Sequence, residues 1–229
     1  MQLFGSSGIR RVVDKEFLQL AFQVGLSVGK SYHSVVIGSD TRTSADATKY
    51  AIISGLLSAG CKTYEAGLMP TPTLAYAARK FEAGVMVTAS HNPPNYNGIK
   101  LLNSDGSAFD SLQRRKIEEE IYNNSLGATS WNRMQHLRSY EAAIEEHTDR
   151  ILRDFSQVSK VKAVVDCGCG AASVITPHML RKLGCEVISI NCYPSGFFPR
   201  GGEPTEANLT QLIKVVKAAD ATLGIAHDG

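Results

Sequence analysis

A recurring alternation constrains this chain more than any single residue does. Short apolar and β-branched runs, "SVVIG" from Ser34, "GVMVT" from Gly84, "VKAVVD" from Val161, "EVISI" from Glu186 and "ATLGIA" from Ala221, are separated by longer stretches with helical spacing. Such runs, bounded by turn formers, read as buried strands, and a sheet buried on both faces needs helices over it. The intervening stretches supply them. "DKEFLQLAFQVGLSVGK" offers Asp14 as a cap and apolar residues at 17, 18, 21, 22 and 28. A second helix is expected from about Ser44 to Ser58, with "CKTYEAG" a weaker strand after it. A third begins in "TPTLAYAARK", with Pro72 near the first turn, where a missing N–H costs nothing. A charged helix is expected over Ser111 to Ile121, and another in "YEAAIEEHTDRILRDF", with its apolar stripe at 140, 144, 148, 151, 152 and 155. Past a domain boundary near residues 150 to 158, helices around Ser173 to Leu183 and Asn208 to Ala219 repeat the alternation. The pattern predicts successive layered α/β units, and the absence of a short-period repeat removes solenoids.

Size and charge narrow the function. At 229 residues and 43% apolar content, the chain suits one large or two medium domains with proper cores. Lys plus Arg total 24 against 22 for Asp plus Glu, and no basic run exceeds "RRK" at Arg114 to Lys116. That argues against nucleic acid or a membrane surface as partner, and leaves small anions open. The five cysteines, Cys61, Cys167, Cys169, Cys185 and Cys192, are odd in number and lack a repeated CxxC spacing, which fits a reducing compartment. The close "CGC" pair at Cys167 and Cys169 lacks the two further ligands of a structural zinc site. "MQLFGSSGIRR" has no apolar h-region, and no segment reaches the roughly 20 apolar residues of a membrane span, so a soluble, cytoplasmic protein is expected.

The chemistry-bearing stretch is "VTASHNPPNYNGIK", residues 87 to 100. The strand stops where Asn92, Pro93, Pro94, Asn95, Asn97 and Gly98 begin, which reads as a loop, so Ser90 and His91 sit at a strand end. Ligands of open α/β sheets bind at that edge, although a polar surface turn would look the same. The nucleophile elbow G-x-S-x-G is absent, which disfavours a serine hydrolase. A cation, Lys100, follows ten residues after Ser90. "FGSSGIR" sets Gly5 and Gly8 around two serines before Arg10, either a phosphate-holding turn or a plain solvent turn. "IGSDTRTS" places Asp40 and Arg42 at another strand end, where a local ion pair closing the turn competes with ligand contact. Asp166 and Asp228 close two further strands, but one carboxylate is not a metal site.

In order along the chain, "FGSSGIR", "GSDTR", "TASHNPPNYNGIK", "GGEPTEANL" and "GIAHDG" resemble the α-D-phosphohexomutases, the family of phosphoglucomutase, phosphomannomutase and phosphoglucosamine mutase. The resemblance spans the whole chain. It implies two successive layered α/β/α domains with mixed, mostly parallel sheets, residues 1–153 with the phosphoserine loop and 154–229 reaching the metal-binding loop. It further implies that phospho-Ser90 donates its phosphoryl group to a hexose 1- or 6-phosphate, and that the resulting bisphosphate reorients and returns the other phosphoryl group. Arg10 and Lys100 match substrate-binding and catalytic positions, Lys100 for proton transfer, and His91 accompanies the serine and orients the phosphate. Phosphoserine carries about −1.5 to −2 charges, so the family enlists Mg²⁺, held by the phosphoserine and by a D-G-D-x-D-R loop that Asp228 would open. Partners are phosphorylated hexoses and a hexose bisphosphate, without nucleic acid or membrane. Arg11 stands where the family usually has glycine. The resemblance also implies an N-terminal half, whose missing part would select the sugar, so the phosphomannomutase/phosphoglucomutase and phosphoglucosamine mutase readings stay level. A non-catalytic phosphosugar- or partner-binding protein retaining these two domains is the alternative.

Overall fold

The computed structural model describes residues 3–5, 8–155 and 161–228. Its first sheet contains β1 (Ile9–Val12), β2 (Ser34–Ser39), β3 (Lys62–Leu68), β4 (Ala83–Val87), β5 (Tyr96–Asn103) and β6 (Arg138–Ser139), in the order β1-β5-β4-β2-β3-β6. The β4-β2-β3-β6 stretch is parallel, while β5 runs antiparallel to β4 and β1. Helices α1 (Lys15–Ser31), α2 (Ala45–Ser58), α3 (Thr71–Ala78), α4 (Ser111–Tyr122) and α5 (Ala143–Leu152) accompany it. The second sheet, β7 (Lys162–Asp166), β8 (Glu186–Ile190) and β9 (Leu223–Ala226), is wholly parallel with β7 in the middle. It carries α6 (Thr176–Lys182) and α7 (Thr210–Ala218). The sheets are therefore mixed and mostly parallel.

The two-residue period of the strands builds the layers. Val35, Ile37, Val85 and Val87 enter one core with Phe17 and Val24 of α1, Ile52 of α2 and Ile117 of α4. Their neighbours Val36 and Met86 enter the other, with Leu74 of α3 and Ala143 of α5. Each such side chain, wholly buried, contributes roughly 1.5–3 kcal/mol relative to exposure. The helices start where their caps permit. The Asp14 carboxylate accepts from the Phe17 N–H at 2.7 Å, and Asp110 forms a capping box with Gln113 at the head of α4. The second core, around Val165, Cys167 and Ala172, is smaller.

The structure departs from the sequence pattern in instructive places. The stretch expected as loop through Gly98 turns back into a strand at Tyr96, so Gly98 and Lys100 lie on β5. The prolines confine the turn, but Asn97 and Gly98 conceal the two-residue period that would have marked a strand. Arg11, at the family's glycine position, is an ordinary β1 residue paired with Asn97. The helix expected around Ser173 splits into a 3-10 turn, Ala171–Val174, and α6, whose first turn holds Pro177. Proline suits a helix start but not an interior. Packing assigns α5 to the first sheet, through Ala143 and Ile144 against α3. Part of the expected boundary, residues 156–160, lies outside the described residues, as do Ser6, Ser7 and Gly229. Among the described residues, no helix is long and apolar enough to cross a membrane.

Candidate active site

Strands β2 and β4 are parallel neighbours from which the chain leaves in opposite directions, from β2 through α2 to β3 on one side and from β4 to β5 on the other. That arrangement makes a topological switch point, where a crevice opens at the carboxyl ends of the strands. Asp40 and Arg42 follow β2 there, and Thr88 and Ser90 follow β4. Register adds two cations. Arg10 pairs with Gly98, and Lys100, two residues on, pairs with Met86, so Arg10 and Lys100 share the face of the sheet that Met86 occupies. Burial and the nearby Arg10 charge lower the Lys100 pKa, and Asp228 and Asp40 pull it back up. All four charged groups thus act on one space.

Ser90 has a left-handed backbone, φ 55°. For a residue with a Cβ this conformation costs roughly 1–2 kcal/mol, so the surroundings must hold it. Its N–H donates to Thr88 Oγ1 at 3.0 Å. Its carbonyl accepts from Arg42 Nη2 at 2.7 Å, and the same guanidinium donates to the carbonyls of Asn92, Pro93 and Tyr96 at 2.6 to 2.8 Å. Arg42 Nε lies 3.3 Å from Asp40 Oδ2, an ion pair in contact but off the line of a straight hydrogen bond. The local Asp40–Arg42 pair is present, yet most of the arginine's donors serve the serine loop. Burial raises the Asp40 pKa against the opposing Thr88 hydroxyl and Arg42.

The second unit brings Asp228. The two strand-end aspartates, alike in sequence, have separated. Asp166 is buried, receives Arg200 Nε at 3.1 Å and accepts from Gly168 N and Asn191 Nδ2. Arg200 also donates to the His227 carbonyl at 2.8 Å, which ties the end of β9 to that of β7. Asp228 is left half-exposed in the cleft, its Oδ1 3.4 Å from His91 Nδ1. The loop after β8 reaches back to the first unit. Gly196 there has φ 74°, and a Cβ on it would stand 2.3 Å from the Thr41 carbonyl oxygen, so only glycine fits. The Phe198 ring lies 5.4 Å from the Arg42 guanidinium carbon.

The fold thus sets Asp228 beside His91 and within electrostatic reach of Lys100, which also feels Arg10. Ser90 and Asp228 together line a cavity of about 400 Å³, with Asp40, Thr88 and His227 among its other walls. Among the described residues no cluster of three or more His, Cys, Asp or Glu could hold a metal by itself. The oxygen donors of Asp228 and Ser90 are of the kind that Mg²⁺ prefers, although fewer than an octahedral shell takes. The "CGC" cysteines do not converge: Cys167 packs in the second core beside Cys192, and Cys169 is half-buried. Sequence reasoning missed Arg200, because a buried pair with Asp166 across 34 residues leaves no local signal.

Comparison with known proteins gives one family. Residues 1–127 match the family model described as phosphoglucomutase/phosphomannomutase, alpha/beta/alpha domain I, and residues 139–229 match alpha/beta/alpha domain II. The second match begins before α5, which by packing belongs with the first sheet. A probable phosphoglucosamine mutase of Methanococcoides burtonii is 50% identical over 231 residues, covering 100% of this chain and 53% of that protein. A phosphoglucosamine mutase of Methanococcus maripaludis is 39% identical, covering 100% of this chain and 52% of that protein. A solved phosphoglucomutase/phosphomannomutase family protein of Burkholderia thailandensis superposes with a TM-score of 0.87 at 28% identity, over 97% of this chain and 51% of its own. The chain spans about half the length of the curated relatives it matches.

Proposed function

Because the chain belongs to the phosphoglucomutase/phosphomannomutase family, we propose that it is the N-terminal part of a phosphohexomutase that interconverts hexose 1- and 6-phosphates through phospho-Ser90 and a bisphosphate. The names of the relatives favour glucosamine phosphate as the substrate. The observation that carries the reading is that Arg10, Lys100 and Asp228, brought from separate stretches of chain, act on one another beside a cavity that Asp228 shares with Ser90, a serine held in a left-handed backbone.

Each residue then has a role. Ser90 carries the phosphoryl group. Arg10 and Lys100 offset the charge that spreads over the phosphoryl oxygens during transfer. Lys100, its pKa lowered by burial and by Arg10, exchanges a proton with the sugar hydroxyl. His91, beside Asp228, orients the phosphoryl group. Asp228 and the phosphoserine oxygens would hold Mg²⁺, which supplies further neutralising charge when bound. The cysteine usage supports a cytoplasmic setting.

Peptide mass spectrometry of the full-length protein from cells should find phosphate on Ser90, and Ser90→Ala should abolish mutase turnover. Wild-type turnover by Ser90→Ala with glucosamine, glucose and mannose phosphates would overturn the reading.

A further inference from the structure

We infer that Arg42 is a positioning residue: its guanidinium draws the serine loop's carbonyls inward and so sets the backbone at Ser90 and the aim of its hydroxyl. Four carbonyls from residues 90 to 96 converge on one side chain only 3% exposed. An arginine has five N–H donors in a planar fork. Here both terminal nitrogens donate twice and Nε faces Asp40, so the fork is used up within the protein.

The arrangement has two consequences. Carbonyl oxygens aimed at the guanidinium are not aimed at the dianionic group that Ser90 would carry, which removes a repulsion the loop would otherwise present. The clamp is also shared between the two units, because Phe198 covers the guanidinium from the unit that supplies Asp228. The geometric part of the inference stands on these contacts alone, whereas its catalytic consequence rests on the function proposed above.

The test uses the full-length protein with Arg42→Lys and Arg42→Gln. Lysine keeps the charge but is a point donor without the fork, so it cannot serve four carbonyls. The Asn92 and Tyr96 amides, which close the loop's turns onto the Ala89 and Pro93 carbonyls, report the loop, and the Val36 and Val85 amides report the core. In Arg42→Lys the loop amides should exchange about tenfold faster while the core amides stay within about twofold. Phosphoryl transfer to Ser90 from a hexose 1,6-bisphosphate should slow roughly 10²-fold, the cost of a misaimed nucleophile. The half-saturating bisphosphate concentration should move less than about threefold, since binding contacts are untouched.

Unchanged loop exchange in Arg42→Lys would overturn the inference, and so would faster loop exchange with an unchanged transfer rate. Uniform loss of protection in core and loop, in both variants, would make Arg42 a structural residue and overturn it too. If the unaltered protein takes no phosphoryl group from glucosamine, glucose or mannose bisphosphate, the mutase reading falls. The exchange measurement then still decides whether Arg42 holds the loop.

Discussion

Lysine is a residue type common on any surface, and only the surroundings of Lys100 set it apart. Burial and Arg10 both lower its pKa, with Asp228 and Asp40 opposing. Competition labelling of its amine across pH should give a value below the ordinary lysine value of about 10.4, and Arg10→Met should raise it by removing a neighbouring cation. A value at or above the ordinary one in the unaltered protein would remove the basis for the proton-transfer role proposed for it. In the full-length protein, Lys100→Met should retain phosphate on Ser90 and lose roughly 10² to 10⁴ in turnover. Asp166 and Asp228 teach the converse at this scale. Asp166 ends β7 and Asp228 follows β9, yet one is buried under Arg200 and the other faces the cleft, and strand-end position alone does not distinguish them.

Between elements, the tightest approach is the crossing of α1 and α2. A Cβ on Gly25 would lie 2.2 Å from the Ile52 carbonyl oxygen, and one on Gly55 would lie 2.2 Å from the Phe22 carbonyl oxygen. Backbone stands against backbone there, so no side chain can swing aside. Helix propensity alone predicts that Gly→Ala stabilises by about 1 kcal/mol, whereas overpacking costs roughly 1–3 kcal/mol or more. Overpacking should win. Urea denaturation of Gly25→Ala and Gly55→Ala should each show a lower midpoint, and an unchanged or raised midpoint would mean that the helices separate without cost. Neither glycine marks itself in sequence, since both sit inside a helical pattern where glycine is merely unfavourable.

Across the whole molecule, two histidines lie where the first and second units meet, and both line the cavity behind Ser90. His147 stacks on Tyr76, shares a 3.0 Å hydrogen bond with Thr73 Oγ1, and has its pKa lowered by burial. His227 is lowered by burial and by Arg200, with Asp166 opposing. In the unfolded chain both would titrate near about 6.5. Below that pH and above the folded values, the unfolded chain binds more protons. The neutral histidines therefore contribute stability that is fully present above about 6.5 and lost as pH falls through the folded values. The denaturant midpoint should be lower at pH 5.5 than at pH 7.5, and combining His147→Gln with His227→Gln should shrink that difference. An undiminished difference in the double variant would assign the acid sensitivity elsewhere.

The sequence by itself determined the layered α/β architecture, because strand and helix periods are local patterns and burial on both faces follows from them. It also placed Ser90 at a strand end, since the turn formers that stop β4 are adjacent to it. Only the tertiary structure decided that Lys100 and Arg10 share one face of the sheet, because antiparallel register sets Arg10 opposite Gly98, two residues before Lys100, without any mark in either segment. It likewise decided that Arg42 faces the serine loop as well as its neighbour Asp40. An arginine at the end of β2 reads the same whether it meets solvent, ligand or backbone. Which it meets depends on where the loop after β4 comes to rest, and that is set by the packing of the two strands across the switch point.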